Sequence, residues 1–321
     1  MKDRVLDTLR RGKRFLLTAH RNPDGDAIGS LLGMFHAMRA TGREPVAWLP
    51  DGVIDLYTFL PGTDEIVKVR PNGAPFDATF AFDCGDPQLL PDDMPSAAEG
   101  GPLVAIDHHG TYRDFGDIVL RRPASAVGEI VYELIRDLGW PIDAGCAACL
   151  YTAIATDTGS FAYASTTGDV LRIAADLVDR GADPWLVSSN VFERWPLARL
   201  ALLRETLASL SLTADGRVAS LEVTPEMLAR TGASSDMLEG FVNQGRRLRG
   251  VEVAVLVSLA DDGQVRVSLR SQGRVDVAAV AATFGGGGHR AAAGCKLPGP
   301  LSSARAQVVA ALERAVSQTP A

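Results

Sequence analysis

Four short runs of this 321-residue chain collect residue types that bind divalent cations. The first, TAHRNPDGDAIGS, carries His20, Asn22, Asp24 and Asp26. The second, AFDCGD, carries Asp83, and the third, AIDHHG, carries Asp107, His108 and His109. The fourth, ATDTGSF, carries Asp157. Carboxylates gathered from these runs would repel one another strongly if left bare, and bound cations are the simplest way to make the gathering tolerable. Oxygen ligands with a little imidazole and no thiolate suit Mn²⁺ or Mg²⁺ better than structural zinc. A bridging carboxylate can hold two such ions about 3.5–4 Å apart, an arrangement that activates water and supports in-line displacement at phosphorus.

Each residue alone has a plainer meaning. Asp24 and Asp26 precede a helical pattern, where a capping role is the commoner one. Adjacent histidines on a strand point to opposite faces, so His108–His109 alone says little. His36 sits mid-helix between apolar residues and reads as structural. The specificity lies in the combination, because four of the five histidines fall inside motif-like runs.

The elements that must position these residues follow from the apolar patterning. Runs 14–20, 45–49, 77–84 and 102–107 read as strands, and 26–42 and 125–139 as helices ending at Gly42 and Gly139. Strand and helix patterns alternate, which predicts βα units and a mostly parallel sheet. The first three clusters then sit at the carboxyl ends of strands, where open α/β sheets bind ligands. Helices dominate 142–180, interrupted by a strand-like run at 160–166. A connecting helix is expected over 191–211. Beyond it, 217–223, 251–260 and 264–271 read as strands, the last two joined by the hairpin-type turn Asp261-Asp262-Gly263. VDVAAVAATFGGGGH reads as a helix running into a glycine loop, and SSARAQVVAALERAV as a closing helix. The expectation is an α/β chain of two domains. Residues 1–190 form the mostly parallel sheet flanked by helices, and 212–321 a smaller α/β domain with a mixed sheet.

Length agrees with two domains, since single cores rarely grow beyond about 250–300 residues. The net charge of −7 argues against a long electrostatic track for nucleic acid, but not against a compact site for a small anion. Four cysteines are too few for a disulfide framework, and Cys146 and Cys149, though spaced CxxC, lie in an Ala-rich helical run and read as buried small residues. No signal peptide or membrane span is apparent, so the expected compartment is a reducing cytoplasm.

With these motifs in view, the sequence resembles the DHH phosphoesterase superfamily, whose triplet stands here as Asp107-His108-His109. All four family motifs match, as HRNPDGDAIGS, FDCGD, DHH and TDTGSF. GGGGHRAAAG at 285–294, preceded by VSLRS at 267–271, looks like the substrate signature of the DHH-associated domain. Two domains with no extra modules are similar to the nanoRNase type. That resemblance implies hydrolysis of short oligoribonucleotides and of pAp (adenosine 3′,5′-bisphosphate), and in some members of linear or cyclic dinucleotides. It implies two Mn²⁺ ions per subunit, with Mg²⁺ or Co²⁺ as substitutes. One ion would be held by His20, Asp24, Asp83 and Asp157, and the other by Asp26, Asp83, His108 and Asp157. Asp83 and Asp157 would bridge. His109 would lie near the scissile phosphate, and Asp107 would orient the histidines. Members of this type often resemble dimers, so a homodimer is an expectation of the resemblance, whereas long duplex nucleic acid and membranes are not expected partners.

The C-terminal signature has its own chemistry. Successive glycines expose backbone N–H groups, and arginine binds phosphate in a bidentate way. Arg270, Gly286, Gly287, Gly288, His289 and Arg290 are therefore the expected substrate clamp; a flexible turn is the alternative for the glycines alone. A clamp in one domain and metals in the other predict a cleft whose width limits substrate length. Arg246, Arg247 and Arg249 could touch RNA, but a solvated basic turn is the commoner meaning of such a run. A manganese-dependent inorganic pyrophosphatase has similar metal motifs, but a lysine- and arginine-rich C-terminal signature would be expected there. A RecJ-like exonuclease usually carries extra binding domains. A catalytically dead nucleotide-binding regulator would lack ligands that are all present here.

Overall fold

The structure, a computed structural model, describes residues 1–110, 112–260 and 263–319. The chain divides into two compact units, Met1–Arg194 and the remainder from Trp195 onward. The division falls a few residues beyond position 190.

The first unit opens with α1 (Lys2–Arg11), a helix the sequence reading does not anticipate. Then come β1 (Arg14–Ala19), α2 (Gly25–Ala40), β2 (Glu44–Ala47), β3 (Ala78–Phe82), the short α3 (Ala97–Gly100), β4 (Leu103–Asp107) and β5 (Ile118–Arg121). Four helices follow, α4 (Val127–Leu138), α5 (Ala144–Asp157), α6 (Gly168–Asp179) and α7 (Pro184–Ser188). The five strands form one parallel sheet in the order β2-β1-β3-β4-β5. β1 and β3 read as unbroken apolar runs because both their faces are buried. α2 and α5 pack through small residues: a Cβ on Gly29 would fall 2.4 Å from the Cys149 carbonyl oxygen. Cys146 and Cys149 are both fully buried, as expected of small core residues.

Run 160–166 is not a strand. Gly159, Ser160 and Phe161 take left-handed backbone, and the amides of Ala162 and Tyr163 both bond the Thr158 carbonyl. Such a backbone coils on itself and cannot extend. The apolar signal came from Phe161, which packs against Tyr151 and the core.

The second unit comprises α8 (Leu197–Ala208), β6 (Ser211–Leu212), β7 (Val218–Val223), α9 (Pro225–Thr231), α10 (Val242–Arg246), β8 (Val253–Leu259), β9 (Gln264–Ser271), α11 (Val277–Ala282), β10 (Gly287–His289), β11 (Ala292–Pro298) and α12 (Leu301–Gln318). Its sheet is mixed, in the order β10-β11-β9-β8-β7-β6, with only β7 and β8 parallel. α11 and α12 cover one face through Val277, Val308 and Leu312. β8 and β9 pair as the predicted hairpin, but Asp261 and Asp262 of its turn lie outside the described residues. The glycine run is not a loop throughout. Gly287–His289 form β10, antiparallel to Ala292–Gly294 of β11. A Cβ on Gly286 would stand 2.1 Å from the Gly294 carbonyl oxygen, so the glycine permits the backbones to approach.

Candidate metal centre

The sheet order places β1, β3 and β4 side by side, and the residues just past their carboxyl ends converge. His20 follows β1, Asp83 follows β3, and Asp107–His109 close β4. Asp24 caps α2, accepting from the amides of Asp26 and Ala27, both at 3.1 Å. The capping role and the metal role are thus compatible in one residue. Asp157 is the last residue of α5.

Two triads result, His20–Asp24–Asp83 and Asp26–Asp83–His108, each with ligand atoms within 4.8 Å of one another. Asp83 belongs to both. His20 Nε2 lies 3.9 Å from Asp83 Oδ2. His108 Nε2 lies 3.5 Å from Asp83 Oδ1, 3.6 Å from Asp26 Oδ2 and 3.5 Å from Asp157 Oδ2. These separations are too long for hydrogen bonds. Donors that share an ion about 2.1 Å from each stand about 3–3.5 Å apart; the two 3.5 Å separations reach that range, and those of 3.6 and 3.9 Å are wider than it. Asp83 Oδ1 is buried and accepts no hydrogen bond among the described residues. A buried carboxylate oxygen left bare is costly unless something positive meets it. The residues present therefore fit divalent cations. Of the two bridges the resemblance implies, Asp83 touches both triads, whereas Asp157 approaches through His108.

The histidines are held in the tautomer a ligand needs. His20 Nδ1 bonds the Arg21 carbonyl at 2.9 Å, and His108 Nδ1 the Ala124 carbonyl at 3.0 Å. Each Nδ1–H is thereby engaged, and each Nε2 offers a lone pair. His109 Nδ1 meets Asp107 Oδ1 at 2.7 Å, so Asp107 orients that ring. Both histidines reach the site, contrary to strand alternation, because they lie beyond the end of β4; their rings stand 5.3 Å apart, edge to face.

Four supporting groups escaped the sequence reading. Asp26 accepts from the α4 N-terminus, at Val127 N (2.6 Å) and Gly128 N (3.0 Å), and from Ser30 Oγ at 2.9 Å. Arg121 donates to the carbonyls of His109 and Gly110 at 2.9 and 2.7 Å. Asp51 accepts from Asn22 N at 2.9 Å. Ser30, four residues from Asp26 on one helix, was the one with a readable signal.

Burial pushes the Asp83 carboxyl well above its usual range, reinforced by Asp26, Asp24, Asp157 and Asp107. Asp26 is raised for the same first reason, against the pull of His108. Burial and the Asp26 charge push Asp157 up to about 7. Burial pulls His108 down, but Asp26 and Asp157 outweigh it and hold the ring above its usual value. All four non-glycine residues with left-handed backbone among the described residues serve these loops: Asn22, Asp83, Ser160 and Phe161.

In the second unit, Arg270 lies next to the end of β9, beside Ala292, and its guanidinium donates to the Leu269 carbonyl. Gly287, Gly288 and His289 lie in β10. Arg290 turns its guanidinium onto the carbonyls of Gly273 and Arg274, each at 2.9 Å, and so fastens the turn before α11. Arg247 and Arg249 are exposed, as a solvated turn would have them, whereas Arg246 is half-buried at the end of α10. His36 bonds the Pro61 carbonyl at 2.9 Å. No helix among the described residues is long and apolar enough to cross a membrane.

Comparison with known proteins agrees with this geometry. Residues 14–154 match the model of the DHH family, N-terminal domain, and residues 215–318 match the DHHA1 domain. A Thermus thermophilus protein named bifunctional oligoribonuclease and PAP phosphatase NrnA is 35% identical over 88% of this chain and 84% of its own length. A Bacillus subtilis protein of the same name is 27% identical over 92% of this chain and 93% of its own. The crystal structure of an exopolyphosphatase-related protein from Bacteroides fragilis superposes with a TM-score of 0.86 at 27% identity, covering 99% and 95% of the two chains. Fold, site and relatives together define a hydrolase of phosphate esters. The chain belongs to the DHH family, with a DHHA1 domain following the DHH domain.

Proposed function

We propose that this phosphoesterase uses two Mn²⁺ ions, with Mg²⁺ or Co²⁺ as substitutes, to hydrolyse short oligoribonucleotides to mononucleotides and pAp to AMP, with dinucleotides as further substrates. The observation that carries the reading is Asp83, common to two ligand triads and with one buried oxygen bare. The names of the Thermus and Bacillus relatives point to the same substrates. His20, Asp24 and Asp83 would hold one ion and Asp26, Asp83 and His108 the other, with Asp157 completing the shell beside His108. Bound there, such ions supply a water of lowered pKa and neutralise charge on the phosphate. His109, its Nδ1 fixed on Asp107, would present Nε2 to the phosphate and carry a proton toward the leaving oxygen. Arg270, His289, Arg290 and the backbone of Gly286–Gly288 would take the substrate's terminal phosphate.

The test is turnover of pAp and of an RNA about five nucleotides long, with Mn²⁺ demonstrably bound and pyrophosphate as a control. Product from neither substrate would sink the reading. Asp83→Ala is expected to abolish turnover, and Arg270→Ala chiefly to raise KM with kcat little changed.

A further inference from the structure

The two units differ in charge. Through Arg194 the chain carries 18 Lys and Arg against 28 Asp and Glu; from Trp195 on it carries 14 against 11. The first is therefore −10 and the second +3, although the whole is acidic. Part of that positive charge lies on one face of the second sheet. Val265, Val267 and Leu269 of β9 point into the core beneath α11 and α12, as do Ala293, Cys295 and Leu297 of β11. The alternate residues point the other way. There the register makes three rungs: Arg270 beside Ala292, Ser268 beside Gly294, and Arg266 beside Lys296. Arg266 and Lys296 are exposed, and Ser268 and Arg270 are half-buried. No rung carries a carboxylate, and the middle one has no bulk beyond a hydroxyl.

We propose that this face is a track for single-stranded RNA, on which Arg266 and Lys296 bind a backbone phosphate beyond the one taken at Arg270. The inference rests on the nuclease reading above and extends it to how the enzyme senses chain length. Successive rungs stand about 6.6–6.8 Å apart along β9, a step comparable with that between phosphates of an extended nucleic-acid strand. Inorganic polyphosphate, whose phosphates share single bridging oxygens, has a much shorter repeat and would not fall in step. Ser268 and Gly294 leave the middle of the face low, so a sugar can lie against the sheet. A substrate as short as pAp would engage the Arg270 end and never reach Arg266.

The experiment compares wild type with Arg266→Ala/Lys296→Ala, and with the charge-keeping Arg266→Lys/Lys296→Arg. Binding of a labelled RNA about five nucleotides long, and of pAp, is followed by fluorescence anisotropy across a salt series. Ca²⁺ replaces Mn²⁺ to withhold turnover, and kcat/KM is measured separately with Mn²⁺. The alanine pair should weaken RNA binding about tenfold and flatten its log–log salt slope by about 0.7, the amount expected when one phosphate of a single strand is no longer neutralised. Binding and turnover of pAp should be unchanged. The charge-keeping pair should behave as wild type. An unchanged RNA salt slope, an equal loss for pAp, or a flattened slope in the charge-keeping pair would each overturn the proposal. If wild type turns over neither substrate while the binding differences hold, the nuclease reading fails and the track stands.

Discussion

Asp83 concentrates the energetics of the site in one side chain. It is buried, shared by two triads and surrounded by four other carboxyls. In the metal-free fold, Asp83, Asp26 and Asp157 keep protons that the unfolded chain has lost above about pH 4. Their contribution to stability is therefore full at low pH and disappears as the pH rises through their raised values, which for Asp157 is about 7. Metal-free protein should show a Tm that falls from about pH 5.5 to about pH 8, more steeply than in Asp83→Asn, and added Mn²⁺ should restore more at the higher pH. Thermal melts with and without chelator check this; equal slopes for wild type and variant would refute it. Asp107→Asn keeps the shape but can no longer hold the His109 tautomer by the same bond, and kcat should fall about 10- to 100-fold while the Tm scarcely moves. At this scale the convergence of His20, Asp24, Asp83 and His108 was legible, because residue type and position at strand ends marked them. The sequence was silent on Arg121 and Asp51, because a side chain that merely holds a loop carbonyl or amide has no spacing of its own.

β10 shows why glycine runs are hard to read as elements. The sequence suggested an open loop, but the chain there closes a hairpin so tight that Gly286 and Gly288 each sit within 2.6 Å, measured from an added Cβ, of a β11 carbonyl oxygen. A methyl group at Gly286 must push the strands apart, at a cost of about 1–3 kcal/mol. Gly286→Ala should lower the melting of the second unit and raise KM for pAp, with circular dichroism and steady-state kinetics as the readouts. An unchanged KM would remove the hairpin from the substrate site. β1, β3 and β4 were legible as short unbroken apolar runs, α2 as a longer apolar run closed by Gly42, and α4 by its amphipathic period. β5 was not: it is four residues long, sits on the edge of the sheet and carries only Ile118 and Leu120 inward. α1 escaped because its charged face, with Lys2, Asp3, Arg4 and Arg10, masks Val5, Leu6 and Leu9.

Each unit has its own core, and the two ligand triads belong to the first. Calorimetry of the whole chain should accordingly resolve two transitions, and Mn²⁺ should raise only the one belonging to the first unit, since a ligand stabilises the fold it binds. A single transition that moves as a whole with metal would mean the units melt together. The two-domain plan was legible from length and from the change of pattern near residue 190. The opposite charges of the halves were present in the sequence as well, but the total of −7 concealed them.

The left-handed turns at Asn22, Asp83, Ser160 and Phe161 have a practical side. L-residues tolerate that backbone poorly, and glycine tolerates it well. Anyone wishing to toughen this scaffold would find a ready gain at Ser160, whose side chain is exposed and where a glycine relaxes the chain. Phe161 offers none, because its ring is packed on Tyr151. Softening the turn would also let Asp157 drift, so a hardier protein obtained there should be a slower enzyme.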